Sequence, residues 1–382
     1  MKLHYICYYY ADEERDEYLG HVAANVKVRY VANAAKEAGF EVTVFALNKT
    51  KLCRVKANST ERDGVIVRHV ASRGRGNFFV KILNRLHWLW QVICYFFKEV
   101  KKDDVVILYH SMNTTPLFAF LKKFKKCKVI LEVEEVYACS AKGVLPYYNK
   151  EIKKIKKYED FIFVNGYIPE DLGIDKKKYI TLYGSYVVAD GEKRPNDGMV
   201  SVLYAGAIET LNEGAFKAVE VAEFLPENYT VHIIGSGEKQ HVDDLTEKID
   251  RMNAALKRKA VVYDGFRSGK DLDDYMVSCD IGLGTYQIKD RYSNYIFPSK
   301  LVSYMCRGLK VVTGRAECYE STPFSADWYF YDEFKSEAIA EAIVRAGSDR
   351  KETDSATMIR NLHNEFVKKL AIYRKTKNWE NE

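Results

Sequence analysis

The 382-residue chain is poor in the residues that break regular structure, with 7 prolines and 22 glycines. That scarcity excludes a collagen-like or low-complexity protein. Its cysteines (Cys7, Cys53, Cys94, Cys127, Cys139, Cys279, Cys306 and Cys318) contain no C-x-x-C pair, and none clusters with histidine at zinc spacing. Scattered cysteines in a chain of this size fit a reducing compartment better than a disulfide framework. Long apolar runs are missing too. The most apolar segment, 78–97, is interrupted by Lys81, Asn84, Arg85 and His87. What remains is shorter than the roughly 20 residues of a bilayer crossing. The apolar start of the chain meets Asp12, Glu13 and Glu14 at once, which reads as a buried strand rather than a signal peptide. A cytoplasmic protein is expected.

What is present is a globular composition, 47% hydrophobic and 29% charged, which excludes a disordered chain. At about 150 residues per domain, the length allows two to three domains. The net charge of +6 hides a split: residues 1–200 hold 34 Lys/Arg against 24 Asp/Glu, and 201–382 hold 25 against 29. Within 51–128 the count is 17 against 5. Such asymmetry suggests an anionic partner on one side.

Short apolar strands alternate with helices throughout. The pattern predicts strands near 2–9, 41–47, 65–70, 105–109, 128–133 and 160–164, and helices near 21–38, 78–100, 117–124 and 150–158. The polar stretch 189–198, with two glycines and a proline, reads as a linker. Alternation then restarts, with strands near 200–204, 229–234, 260–263, 281–284, 310–313 and 328–331 and helices near 213–224, 239–257, 270–278, 299–307, 335–347 and 355–373. The fold class expected is α/β, with two Rossmann-like domains facing across a cleft. Their spans are 1–190 and 199–354, and 355–382 forms a closing segment. Ligands in such sheets bind beyond the carboxyl ends of the strands.

Two strand ends in the second half are rich in small residues. Gly206 and Ala207 end one, and Gly235 with Gly237 end the next, so a ligand can approach the backbone closely. Gln240 stands where a third glycine would complete the dinucleotide fingerprint. A sharper segment runs from Asn294 through Pro298, Ser299, Lys300 and Ser303 to Gly308-Leu309. Pro298 suits a helix start, which leaves the N–H groups of Ser299 and Lys300 unpaired. A lysine in a first turn opposes the helix dipole unless an anion lies before it, so the segment reads as a phosphate site.

The run Asn294…Pro298-x-Lys300-Leu301…Tyr304-Met305…Gly308-Leu309-x-Val311-Val312 resembles glycosyltransferases of the GT-B fold, especially a divergent family 4-like branch with N-x-x-x-P-x-K. Val202 to Gly206, His232 to Gly237, and Val262 to Phe266 followed by Leu272 to Leu283 agree in order and spacing. The resemblance implies a nucleotide-diphosphate sugar donor in the C-terminal domain. It places Phe266 and Arg267 by the nucleobase with Tyr286 packing there, Gly206, Ala207 and Gly235 at the diphosphate, Lys300 binding it, and Asn294 contacting diphosphate or sugar. It also implies that the last helix crosses back onto the N-terminal domain. The family's paired glutamates correspond to Tyr295 and Ser303, the latter a weaker hydrogen-bonding substitute, and its donor-loop Arg and Lys to Ala207 and Glu213. No D-x-D lies near the donor strands, so no metal or other cofactor is expected, and Lys300 takes the leaving-group charge.

On the acceptor side, His110 ends a strand and can act as a base or orient a hydroxyl. Glu132, Glu134 and Glu135 cluster after another strand, and Glu135 is a candidate to activate an acceptor or stabilise positive charge. Gly20-His21, in the first strand-to-helix connection, is a weaker candidate.

The basic stretch combines Arg73, Arg75, Lys81, Arg85, Lys98, Lys101, Lys102, Lys122, Lys123, Lys125 and Lys126 with Phe78, Phe79, Trp88, Trp90, Phe96 and Phe97. That mixture suits an anionic membrane surface. No nucleic-acid reading motif accompanies it, and no nucleic-acid partner is expected. The expected activity is metal-independent transfer of a hexosyl-type sugar to a glycan acceptor in surface polysaccharide synthesis. A lipid-linked acceptor and peripheral attachment to the inner membrane face would account for the basic aromatics. A non-catalytic GT-B partner subunit and a nucleotide-sugar epimerase fit the same architecture.

Overall fold

A computed structural model describes residues 1–20, 22–74, 78–140, 147–189, 191, 197–209, 214–289, 291–350 and 354–380. His21, Arg75, Glu213 and most of the 189–198 linker therefore lie outside the described residues. The chain divides into two compact units: Met1–Ser185 with Tyr295–Phe297 and His363–Glu382, and Tyr186–Asn294 with Pro298–Leu362.

The strands of unit 1 are β1 (Lys2–Cys7), β2 (Glu41–Ala46), β3 (Arg54–Val55), β4 (Asn58–Arg62), β5 (Val65–His69), β6 (Ser72–Arg73), β7 (Val105–Tyr109), β8 (Lys128–Val133), β9 (Asp160–Phe163) and β10 (Tyr179–Thr181). Eight form one sheet in the order β10-β9-β8-β7-β1-β2-β5-β4, while β3 and β6 pair separately. The helices are α1 (Val22–Glu37), α2 (Phe78–Glu99), α3 (Thr114–Lys125), α4 (Tyr137–Ser140), α5 (Tyr148–Ile155) and α6 (Tyr167–Asp171). Central strands are buried on both faces, as Leu3, Tyr5, Ile6, Val105 to Leu108, Ile130 and Leu131 illustrate. This is why they read as continuous apolar runs.

β4 departs from the strand-helix alternation. It pairs antiparallel with β5, Arg62 opposite Val65, across Asp63 and Gly64, which both have positive φ (51° and 74°). Two such residues make the turn that matches strand twist. The strand's sequence, Asn-Ser-Thr-Glu-Arg, is polar because it forms the sheet's edge. Helix α3 begins three residues before its expected start, since Ser111 Oγ accepts a hydrogen bond from Thr114 N–H at 3.1 Å.

Unit 2 carries β11 (Val200–Ala205), β12 (Tyr229–Ile234), β13 (Val261–Tyr263), β14 (Ile281–Gly284), β15 (Lys310–Gly314) and β16 (Trp328–Tyr331) in one parallel sheet, ordered β13-β12-β11-β14-β15-β16. Around it lie α7 (Gly214–Val221), α8 (Lys239–Leu256), α9 (Gly269–Val277), α10 (Ser299–Met305), α11 (Glu317–Glu320) and α12 (Ser336–Ser348). Val202, Ile233, Leu283, Val312, Ile339 and Ile343 sit in the core. Strand order reverses direction between β11 and β14, the kind of switch point where such sheets bind ligands.

Helix α13 (Ser355–Thr376) starts in unit 2 and from His363 onward belongs to unit 1. There Tyr373 O–H donates to Asp160 Oδ2 at 2.8 Å, Phe366 stacks on Tyr30, and Trp379 packs against Tyr373 at 4.4 Å. Among the described residues, no helix is long and apolar enough to cross a membrane.

Candidate functional site

The switch point of unit 2 gathers β11, the β14–α10 connection and the start of α10. Lys300, in the first turn of α10, extends its ammonium over two rings, 4.2 Å from the centre of Tyr204 and 4.8 Å from that of Tyr286. Both distances are within range of cation–π attraction. A Cβ placed on Gly206 would lie 3.4 Å from Lys300 Nζ, so the glycine and the ammonium border the same space. Among the described residues no carboxylate forms an ion pair with Lys300. Burial pushes its ammonium down to about 7, because removing a cation from water without a counter-ion favours the neutral amine.

Three tyrosines hold this arrangement. Tyr304 is fully buried, and its Oη accepts from Ala205 N–H at 2.9 Å. That bond ties α10 to the last residue of β11. A Cβ on Gly282 would lie 2.2 Å from Tyr304 Cγ, so the β14 glycine makes room for the ring. Tyr331 Oη accepts from Tyr286 N–H at 2.8 Å, which fixes the loop carrying one of the two rings. Tyr204 O–H donates to Ala207 O at 3.3 Å.

The second glycine-bearing loop serves the first. A Cβ on Gly235 would fall 1.8 Å from Gly206 O, and one on Gly237 2.0 Å from Ile208 O. The loops after β11 and β12 run backbone against backbone, with Ile208 N–H donating to Ser236 O at 3.0 Å. Close approach, rather than a dinucleotide fingerprint, is what these glycines provide.

The other donor-side candidates are distributed around this centre. Ser299 and Ser303 share α10, where Ser303 Oγ donates to Ser299 O at 3.2 Å. Asn294 is buried and its Oδ1 accepts from Cys318 N–H at 3.1 Å. Phe266 is exposed on the β13–α9 loop. Arg267 pairs with Asp271 at 2.8 Å and lies over the Tyr275 ring at 4.3 Å. Tyr275 O–H in turn donates to Asp264 at 2.6 Å, with His232 Nδ1 2.9 Å from the same carboxylate. Tyr295 is buried in unit 1 and bonded to Tyr148, 2.7 Å away, and to Asp171.

In unit 1, His110 is buried with both ring nitrogens engaged: Nδ1 lies 2.7 Å from Thr115 Oγ1 and Nε2 2.7 Å from Glu151 Oε1. Glu151, fully buried on α5, also accepts from Tyr137 N–H at 2.9 Å and Ala138 N–H at 2.8 Å. Sequence reasoning passed over it because one acid among the α5 lysines looks like a solvated charge. Glu135 is half-buried, and burial followed by the neighbouring Glu134 charge raises its carboxyl. Glu132 is fully buried and accepts a hydrogen bond from Tyr5 O–H, while Lys27 Nζ pairs with Glu134 at 3.0 Å and donates to Leu182 O at 2.7 Å. Burial first, then Glu134, lifts Glu132 well above the usual carboxylate range. Among the described residues, no group of three His, Cys, Asp or Glu side chains is placed to hold a metal ion.

No protein-family profile matches the chain, and no curated protein matches it in sequence. Solved structures do match in fold. An α,α-trehalose-phosphate synthase (UDP-forming) from Burkholderia xenovorans, in complex with glucose-6-phosphate, aligns with a TM-score of 0.64 at 12% identity, covering 99% of each chain. Anabaena HepE in complex with UDP aligns with a TM-score of 0.60 at 12% identity over 99% of this chain and 98% of that one. A glycosyltransferase from Rickettsia africae aligns with a TM-score of 0.58 at 12% identity over 98% and 97%. The chain has the fold of these proteins, the GT-B fold with its two Rossmann-like units.

Proposed function

We propose that this chain is a glycosyltransferase that moves a hexosyl-type sugar from a uridine-diphosphate sugar to a glycan acceptor of surface polysaccharide synthesis. The observation that carries the reading is Lys300, a half-buried cation with no ion-pair partner among the described residues, set beside Gly206 at the carboxyl edge of the unit 2 sheet. An anion placed there would restore the ammonium's charge and be held by it. A diphosphate is the anion such a transferase must bind and release. The fold shared with a UDP-bound protein and a UDP-forming synthase supports uridine as the base.

In this reading Lys300 neutralises the diphosphate leaving group without a metal. Gly206 and Ala207 let it approach the backbone, Gly235 makes room for the Gly206 loop, and Asn294, Ser299 and Ser303 supply polar contacts. Phe266, Arg267 and Tyr286 serve the nucleoside. His110 and Glu135 are the acceptor-side catalytic candidates.

Calorimetric titration with UDP tests the donor assignment. Wild type should bind, and Lys300→Ala should bind at least about tenfold more weakly, as expected for loss of a charge-assisted contact. Equal affinity would remove the lysine from the site. Incubation with UDP-sugars separates the chemistry: nucleotide release marks a transferase, sugar interconversion without release marks an epimerase, and binding without turnover marks a partner subunit.

A further inference from the structure

Helix α2 projects an apolar stripe into solvent. Phe78 is 71% exposed, Phe79 73% and Trp90 61%, and Ile82, Leu83 and Leu86 are exposed between them. At 100° per residue these six, with Phe97 further along, fall within an arc of about 140°. The side of α2 that packs on unit 1 is centred elsewhere, on buried Val92 and Tyr95, with buried Phe96 at the edge between the two. The stripe is thus surplus to the core. It continues onto α3, because Phe97 meets Phe124 at 6.3 Å and Phe124 meets Phe120 at 5.0 Å. Phe120 and Phe124 are themselves exposed.

Charge decides what such a surface fits. Residues 64–98 and 105–131 contain no Asp or Glu at all, while Lys81, Arg85 and Lys98 on α2 and Lys123 and Lys126 around the end of α3 are exposed. The carboxylate nearest in sequence, Glu99, is paired with Arg68 at 3.2 Å. Two of the expected surface lysines are committed elsewhere: Lys122 lies 3.6 Å from Glu159, and Lys125 donates to Phe97 O at 2.6 Å. A second copy of this chain would bring like charge against like charge across the patch. An anionic bilayer instead offers opposite charge at its surface and an apolar layer just beneath, which is the environment of exposed Phe, Trp and Leu ringed by Lys and Arg.

We propose that the α2–α3 face is a membrane-docking surface, inserting Phe78, Phe79, Leu83, Leu86, Trp90 and Phe124 among lipid chains while the basic residues meet anionic headgroups. The inference rests on unit 1 alone and stands whether or not the transferase reading holds.

Co-sedimentation with phosphatidylcholine vesicles, with and without phosphatidylglycerol, tests it, with UDP titration of the same samples as a parallel readout. Wild type should bind the phosphatidylglycerol vesicles and bind them less at high salt. Leu83→Glu/Trp90→Glu should bind at least about tenfold more weakly, since burying either side chain is worth more than that factor. Because both residues are exposed, this variant should keep its melting temperature and its UDP affinity. Lys123→Gln/Lys126→Gln should lose only the phosphatidylglycerol dependence. Absence of vesicle binding, or binding unchanged in Leu83→Glu/Trp90→Glu, would overturn the proposal. So would a wild-type dimer in sedimentation velocity that this variant disperses, since the patch would then be covered by a second copy.

Discussion

The ammonium of Lys300 lies 4.2 Å above the ring of Tyr204, with Tyr286 on a second side and no carboxylate paired to it among the described residues. Its acidity is therefore controlled by whatever anion joins it. With the free lysine at about 7, UDP should bind progressively more weakly above neutral pH, because binding must then recruit a proton. The slope approaches tenfold per pH unit until the bound-state value is reached, a linkage of the form that governs stability. Titrations between neutrality and mildly alkaline pH, where the nucleotide is fully ionised, should show it. Lys300→Met should flatten the profile and weaken binding.

Gly235 and Gly173 offer a controlled comparison. A methyl at Gly235 meets Gly206 O at 1.8 Å, whereas Gly173, with φ of +64°, has open space. Gly173→Ala should cost only the left-handed backbone penalty, ~1–2 kcal/mol. Gly235→Ala must also separate two backbone segments, and should cost more than ~2 kcal/mol and reduce UDP affinity. Urea unfolding and calorimetry check both effects.

Glu132 holds its proton above the usual carboxylate range. The unfolded chain loses that proton near pH ~4.3, so above that pH the native state binds more protons and stability falls as pH rises. Glu132→Gln resembles the protonated form. It should match wild type at acidic pH and exceed it increasingly toward alkaline pH. Thermal melts across this range would reveal parallel curves if the carboxyl were ordinary.

Glu151→Ala removes the acceptor for His110 and for the Tyr137 and Ala138 N–H groups together. Stranding buried donors in this way should cost about 3 kcal/mol or more. Tyr148→Phe, which removes a half-buried hydroxyl facing Tyr295, should cost about 1 kcal/mol. Urea denaturation distinguishes the two; equal losses would mean that the His110 network is water-filled.

The strand-helix alternation was legible because parallel strands covered on both faces must be apolar throughout. β4 was not, since an edge strand needs no apolar pattern, although Asp63-Gly64 already spelled its turn. Lys300 was legible as a cation at odds with the helix start. Its platform was not: Tyr204, Tyr286, Tyr304 and Tyr331 are four of 28 tyrosines, and only folding distinguishes a ring beneath an ammonium from one in the core. Gly235 and Gly237 were read as room for a ligand, while the structure shows them accommodating the neighbouring loop. Glu151 escaped because burial of a lone acid depends on a histidine 41 positions away, which no local pattern encodes.

The division of α13 between the units bears on how the chain is made. Phe366, Leu370, Tyr373 and Trp379 are buried parts of unit 1, yet they follow the whole of unit 2 along the chain. Unit 2 is complete by Leu362 and can close during synthesis. Most of unit 1 is translated before unit 2, but it must wait with Asp160 and the ring of Tyr30 uncovered until α13 emerges. The order of translation and the order of completion are thus reversed, and the half carrying the exposed aromatic face stays open longest.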